Sequence, residues 1–97
     1  MNITINTFEM GTPKEAALKP LEEASEVRAA WQAVAYAHTL VFVGRKDTNK
    51  ERRFQHLADE IADCIQACAN LADRYHIDLA ATMERCEQRN RERGRYD

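Results

Sequence analysis

The sequence predicts an all-α domain, and three observations support that prediction. Glycine and proline are scarce, with three and two copies in 97 residues, so little interrupts helix-forming sequence. Residues that commonly cap helices precede the long uninterrupted stretches. Within the longest stretch, apolar residues recur every three or four positions, which is the period of an amphipathic helix. We therefore expect one helical domain over 1–97, with an N-terminal arm at 1–11 and a helical core at 12–96.

The first predicted helix begins directly after Thr12. A proline follows this threonine, and Glu15 lies three residues after it, as in a capping box. Pro20 predicts the end of this short helix and the start of a second one, because proline lacks an N–H and clashes with the carbonyl four residues earlier. The second helix is expected over about 21–38. Residues 39–46 are interpreted as its end followed by a turn.

The second half of the chain predicts the longest helix and a final one. Thr48 and Glu51 form another capping box, and neither glycine nor proline follows before Tyr75. Asp78 is expected to cap the last helix, and Gly94 is its expected end. The core is thus predicted to hold four helices.

The composition indicates self-association. Fifteen residues are alanine, and leucine, isoleucine and valine together also number 15, so large side chains for a core are few. A short chain with a small core is commonly stabilised by oligomerisation. Ile3 and Ile5 alternate with polar residues in the arm, which predicts an extended segment or short strand that packs on a partner subunit. We expect a homodimer or a dimer of dimers.

Charge and hydropathy exclude several classes of partner. The formal charge is −2 and the pI is near 5.9, so no global basic field favours nucleic acid polymers or anionic lipid. No apolar run approaches the roughly 18–20 residues that cross a bilayer, and the arm lacks the features of a signal peptide. We expect a cytoplasmic protein with no membrane partner. Three cysteines, an odd number, predict small, buried, reduced residues.

Acidic residues border the predicted apolar faces of the two longest helices. The predicted core stripe of the longest helix consists of Leu57, Ile61, Cys64, Cys68, Leu71 and Tyr75. The flank beside it consists of Glu60, Asp63, Ala67, Asn70 and Arg74. On the preceding helix, Glu23 and Glu26 border the apolar face. Side-by-side packing of these helices would bring four carboxylates together in a partly buried space.

Four converging carboxylates favour a bound cation. Like charges at close range repel one another, and a divalent cation neutralises them. Ligands that are all oxygens select a hard ion, so Mg²⁺ is expected and Mn²⁺ is possible. The alternative is an ordinary solvated acidic face, because acids are common in the first turns of helices.

The order of these acids resembles that of the MazG-type nucleoside triphosphate pyrophosphohydrolases. Residues 22–26 resemble the E-E-x-x-E motif of that family, and residues 60–63 resemble its E-x-x-D motif. Residues 70–79 resemble the usual continuation into the last helix, and 88–96 resemble its basic ending. The similarity covers about 13–96.

This resemblance implies a four-helix module with antiparallel helices, completed by dimerisation. It implies Mg²⁺-dependent hydrolysis of a nucleoside triphosphate to the monophosphate and pyrophosphate. This reaction would serve either to remove damaged nucleotides or to control the pool of normal ones. The implied metal ligands are Glu23, Glu26, Glu60 and Asp63, and Glu22 is the implied auxiliary acid. All five acids are therefore candidate catalytic residues.

Further polar residues are candidate substrate contacts. They are Lys19, Asn70, Arg74, Asn90 and Arg93. Lys19 alternatively pairs with Glu22 or Glu23. Asn70 alternatively makes a hydrogen bond between helices, and the residues near the C-terminus alternatively lie in solvent at a fraying helix end.

Three other functions compete with this interpretation. A ferritin-like di-iron site requires Glu-x-x-His pairs, which the acidic motifs do not contain. A non-catalytic helical interaction domain would carry the acids as ordinary surface. Phosphoribosyl-ATP pyrophosphohydrolase belongs to the same superfamily and would differ only in substrate.

Overall fold

The computed structural model describes residues 2–46 and 48–97; Met1, the first residue of the predicted arm, and Asp47 lie outside these ranges. The described chain is all-α, as predicted. Its helices are α1 (Pro13–Phe42), α2 (Lys50–Arg74) and α3 (Leu79–Glu92). In the described chain, none of these helices has the combination of length and apolar character needed to cross a bilayer.

Helix α1 passes through Pro20 without ending, so the prediction of two helices here was wrong. The predicted cap is present, since the Glu15 N–H donates to Thr12 Oγ1 at 3.2 Å. Pro20 has no N–H to donate to the Ala16 carbonyl, which costs the helix one hydrogen bond. Ala16 and Ala30 are each only 2% exposed. If the helix ended at Pro20, its first turns would lose their packing against the rest of the protein. The burial of residues both before and after Pro20 therefore keeps the helix continuous.

The boundaries of α3 follow from its predicted caps, whereas the start of α2 does not. Asp78 accepts from the Ala81 N–H at 3.0 Å, and Gly94 adopts φ +71° just beyond the end of α3, both as predicted. This positive φ suits glycine because it has no Cβ. The cap of α2 is instead Asn49, so the capping box predicted at Thr48 does not form.

Helices α1 and α2 pack as an antiparallel hairpin. Near the loop that joins them, the Arg53 guanidinium lies 5.6 Å from the centroid of the Tyr36 ring. The rings of His38 and Phe54 are 6.2 Å apart beside this pair. Residues 39–42 complete α1 and a turn follows at 43–44, so the predicted helix end and turn within 39–46 is confirmed.

The core of the hairpin consists almost entirely of alanine. The buried apolar residues of the described chain are Ala16, Ala30, Val34, Ala37, Ala67, Ala69 and Ala72. Their small side chains let the two helix backbones approach closely. Because alanine removes little apolar surface from water, this core contributes much less free energy of folding than one built from leucine.

The core stripe predicted for α2 was wrong in part. Ile61 and Tyr75 are 43% and 58% exposed, and Cys68 is also exposed. Ala67, on the predicted polar flank, is instead 4% exposed. Helix α2 has turned its flank of small and polar residues toward α1, since a close helix contact accommodates alanine more easily than isoleucine or tyrosine.

Helix α3 lies at the periphery. It packs against α2 and, in the part of the chain that the structure describes, has no packing contact with α1. None of its residues is buried. The hairpin of α1 and α2 is therefore the structural unit that positions any site.

Enlarging Ala30 tests the close packing of the hairpin. Ala30→Leu is expected to lower the free energy of unfolding by about 1–3 kcal/mol, because the added methyl groups overpack a filled contact. The matched control is Ala29→Leu at the neighbouring, exposed position, where about 0.5 kcal/mol or less is expected. Urea denaturation measures both values. Equal effects from the two variants would contradict the packing described.

Candidate metal centre

Three predicted carboxylates meet between α1 and α2. One oxygen from each of Glu23, Glu60 and Asp63 lies within 4.8 Å of the other two. Glu23 is seven residues from both Ala16 and Ala30, so it shares the face of α1 that packs on α2. Glu60 and Asp63 lie one turn apart on the opposing flank of α2. The antiparallel packing brings acids from the two motifs together.

Burial makes this cluster electrostatically unfavourable as it stands. The side chains of Glu23 and Glu60 are only 15% and 16% exposed, whereas Asp63 is exposed. Carboxylates held this close repel, and reduced solvation strengthens the repulsion. The three donors are all oxygens and are open to solvent on one side. These features suit a hard divalent cation such as Mg²⁺ or Mn²⁺.

Lys19 supplies positive charge at the edge of the carboxylate cluster. Its Nζ lies 3.2 Å from Glu23 Oε1 and 3.4 Å from Glu22 Oε2. Hydrogen bonding to Glu23, and then to Glu22, raises the pKa of the Lys19 ammonium. The side chain therefore stays protonated at neutral pH. The structure thus shows the ion pairs that the sequence offered as the alternative to a phosphate contact.

The two remaining acids of the first motif stay on the solvent side of α1. Glu22 is 64% exposed and pairs with Lys19. Glu26 is exposed and is not part of the group formed by the other three implied ligands. It lies one turn after Glu23 and is offset from it by about 60° around α1, and this offset is toward solvent, since Glu26 is exposed.

Near the cluster, the imidazole of His56 is the second basic group. His56 Nδ1 lies 3.8 Å from Glu60 Oε1, one turn earlier on α2. The sequence gave no reason to single out this histidine, because it has no partner at zinc-ligand spacing. The sequence did place His56 four residues before Glu60, and residues four apart are neighbours on a helix surface. This spacing could have indicated that His56 lies beside the cluster.

Asn70 and Arg74 bind the N-terminal arm of their own chain. Asn70 is 4% exposed, and its Oδ1 accepts hydrogen bonds from the Phe8 N–H at 3.1 Å and from Gln66 Nε2 at 2.9 Å. Arg74 donates to the Gly11 carbonyl at 3.1 Å. These contacts are intramolecular, and packing of the arm on a partner subunit stays a prediction. The arm forms no strand within residues 2–11.

Asn90 and Arg93 lie apart from the carboxylates in this chain. Asn90 is half-buried, with its Nδ2 3.7 Å from Cys86 Sγ, and Arg93 is exposed as the C-cap of α3. Both residues belong to the end of a helix that packs on α2 alone among the described helices. The structure therefore does not bring them to Glu23 on α1.

No protein-family model, no curated protein and no solved structure matches this chain. The geometry of the carboxylate cluster and of the surfaces around it is therefore the basis for inferring a function.

The protonation of Lys19 gives a direct test of the ion pairs. We expect Lys19 to titrate above its ordinary pKa of 10.5, with Glu23→Gln lowering the pKa more than Glu22→Gln, because the Glu23 contact is shorter and better shielded. A raised pKa means that the stabilising contribution is complete below the ordinary value and is lost as the pH rises through the raised one. Titration of the Lys19 side-chain carbon resonances by NMR measures each pKa. A larger effect from Glu22→Gln would contradict this geometry.

Proposed function

We propose that the protein is a Mg²⁺-dependent nucleoside triphosphate pyrophosphohydrolase of the MazG type, which releases the nucleoside monophosphate and pyrophosphate. The meeting of Glu23, Glu60 and Asp63 between α1 and α2 supports this proposal best. These acids come from two separate motifs, and the resemblance assigns metal binding to both motifs. Their convergence in space is what a shared ion requires.

The burial of the cluster favours this interpretation over a solvated acidic face. Acidic residues on an ordinary solvated face would have exposed side chains. The side chains of Glu23 and Glu60 are instead only about one-sixth exposed. Removing carboxylates from water costs free energy unless a cation or hydrogen bonds compensate. Lys19 compensates Glu23 in part, and a divalent ion among the three acids would compensate the rest.

The proposed roles follow from position. Glu23, Glu60 and Asp63 would hold Mg²⁺, with Mn²⁺ as a substitute, while Glu22 and Glu26 would complete the acidic set from the solvent side. A bound divalent ion neutralises a triphosphate and lowers the pKa of a coordinated water. Lys19, beside Glu23, would place an ammonium next to the phosphate chain.

A second copy of the chain is proposed to complete a four-helix bundle from two hairpins. The hairpin leaves an apolar stripe uncovered on α2, made of Ile61, Ile65, Cys68 and Tyr75. Six of the seven buried apolar residues are alanine, so the isolated hairpin buries little surface. Covering the stripe with the same stripe of a partner would add the large side chains that the core lacks. Asn90 and Arg93 remain proposed substrate contacts, supplied across such an interface.

Cys68 suits an apolar interface. Although Cys68 is exposed as a residue, partial desolvation of its thiol, and secondarily the neighbouring Cys64, raises the pKa of the thiol. The thiol is therefore protonated at neutral pH and behaves as a small apolar group. The stripe from Ile61 to Tyr75 consequently carries no charge that pairing with a second copy would have to desolvate.

Asp63→Asn tests the metal centre. Removing one ligand charge is expected to reduce Mg²⁺-dependent turnover by about 100-fold or more. The melting temperature without metal should hold or rise as repulsion falls, and the rise caused by Mg²⁺ should disappear. The matched control is Asp59→Asn, one turn earlier on α2, where the exposed carboxylate accepts from Gln55 and lies outside the cluster. This control should keep both turnover and the Mg²⁺-induced rise.

Turnover is measured with a panel of ribo- and deoxyribonucleoside triphosphates, and pyrophosphate and orthophosphate are quantified separately. Pyrophosphate as the first product, lost with excess EDTA, supports the proposal. Orthophosphate as the first product, or activity unaffected by EDTA, would overturn it. An inactive wild type would favour a non-catalytic interaction domain.

Ile65→Glu tests the proposed self-association. The side chain is 44% exposed in the single chain, so a charge there is tolerated by the hairpin but would be desolvated in an interface. We expect wild type to be at least dimeric at micromolar concentration and the variant to dissociate. Gln55→Glu adds the same charge at an exposed position away from the stripe and should remain associated. Light scattering measures the mass, and a monomeric wild type would contradict the proposal.

A further inference from the structure

A cavity lies under the N-terminal arm, beside the C-terminal half of α2. Its volume is about 400 Å³, within the range of small-molecule sites. Arm residues form one wall, and α1 and α2 form the others. The lining residues that matter for its chemistry are Phe8, Glu9, Ala16, Asp73, Arg74 and His76.

Three polar contacts hold the wall formed by the arm in place. Gln66 Nε2 donates to the Asn6 carbonyl at 2.9 Å. The Phe8 N–H donates to the buried Asn70, and Arg74 donates to the Gly11 carbonyl. The backbone of the arm is thus fixed while the Phe8 side chain remains 57% exposed. An aromatic ring is therefore available beside the cavity.

The cavity and the carboxylate cluster share one groove between α1 and α2. On α1, Ala16 in the cavity is seven residues before Glu23 in the cluster. On α2, the buried Asn70 is seven residues after Asp63. Seven residues are two helical turns, so the two sites are separated by about 10 Å along the helices. Lys19 lies between them on α1.

The lining of the cavity does not suit phosphate. Glu9 and Asp73 outnumber the single guanidinium of Arg74, with His76 as the remaining titratable group. Carboxylates therefore predominate among the charged groups of the lining. They suit a neutral group that carries N–H and O–H donors and a flat ring able to stack on an aromatic side chain.

We propose that this arm-walled cavity binds the nucleoside of the triphosphate, while the phosphates lie toward Lys19 and the carboxylates. The base stacks against Phe8, and the amino and hydroxyl donors of the nucleoside meet Glu9 and Asp73. This inference rests on the proposed function for its phosphate end. It makes the N-terminal arm a determinant of substrate specificity in the same chain.

The test measures nucleoside binding without the metal reaction. Four nucleoside 5′-monophosphates are titrated into the full-length protein in EDTA, and amide resonances are followed by NMR. We expect at least one monophosphate to shift the signals of Phe8, Asp73 and Arg74. Phe8→Ala should weaken its binding by about tenfold through the loss of base stacking. Ile3→Ala, an equally exposed apolar position on the arm but outside the cavity, should leave binding unchanged.

A second readout separates this inference from the proposed function. Asp63→Asn should abolish pyrophosphate release yet still bind the monophosphate, because it changes only the phosphate end. With an active wild type, Phe8→Ala should raise KM by about tenfold with little change in kcat. Unchanged binding and KM in Phe8→Ala would overturn the cavity proposal alone, as would shifts confined to residues outside the cavity. An inactive wild type that still binds a nucleoside through Phe8 would overturn only the hydrolase.

Discussion

The close packing of α1 on α2 through alanine is the constraint on which the rest of the structure depends. Ala16, Glu23, Ala30 and Ala37 recur at seven-residue intervals on α1, and the three alanines are buried. This close packing of the two helices holds Glu23 beside the acids of α2. It also buries so little apolar surface that isoleucine and aromatic side chains remain in solvent. The carboxylate cluster and the uncovered apolar stripe on α2 both follow from the use of alanine at the contact between α1 and α2.

The same register divides the groove into two chemically different ends. At one end, Glu23, Glu60 and Asp63 gather negative charge that only cations offset, and Lys19 supplies one of them. Two turns away, the cavity presents acceptors without excess positive charge. A nucleoside triphosphate has a matching division, with a polyanion that travels with a divalent metal and a neutral nucleoside that carries hydrogen-bond donors. The polarity of the groove thus connects the proposed chemistry to the proposed specificity.

Polar contacts hold the arm as the third wall of this groove. Its attachment relies on polar contacts to Gln66, Asn70 and Arg74, while Ile3 and Phe8 stay more than half exposed. The proposed nucleoside site is therefore bounded by the helical hairpin on one side and, on the other, by an arm that polar contacts hold in place.

Local chemistry allowed the sequence alone to determine several features. Thr12, Asp78 and Gly94 act within one turn of their own helix ends, so their roles did not depend on the fold, and the spacing of Glu60 and Asp63 fixed their common flank. Tertiary structure decided the rest. Helix α1 continues through Pro20 because of its packing on α2, which rules about neighbouring residues do not include. The rotation of α2 depends on which of its side chains are small enough for α1 to approach closely. The docking of the arm depends on partners about 60 residues away, such as Asn70, whose proximity only the folded hairpin creates.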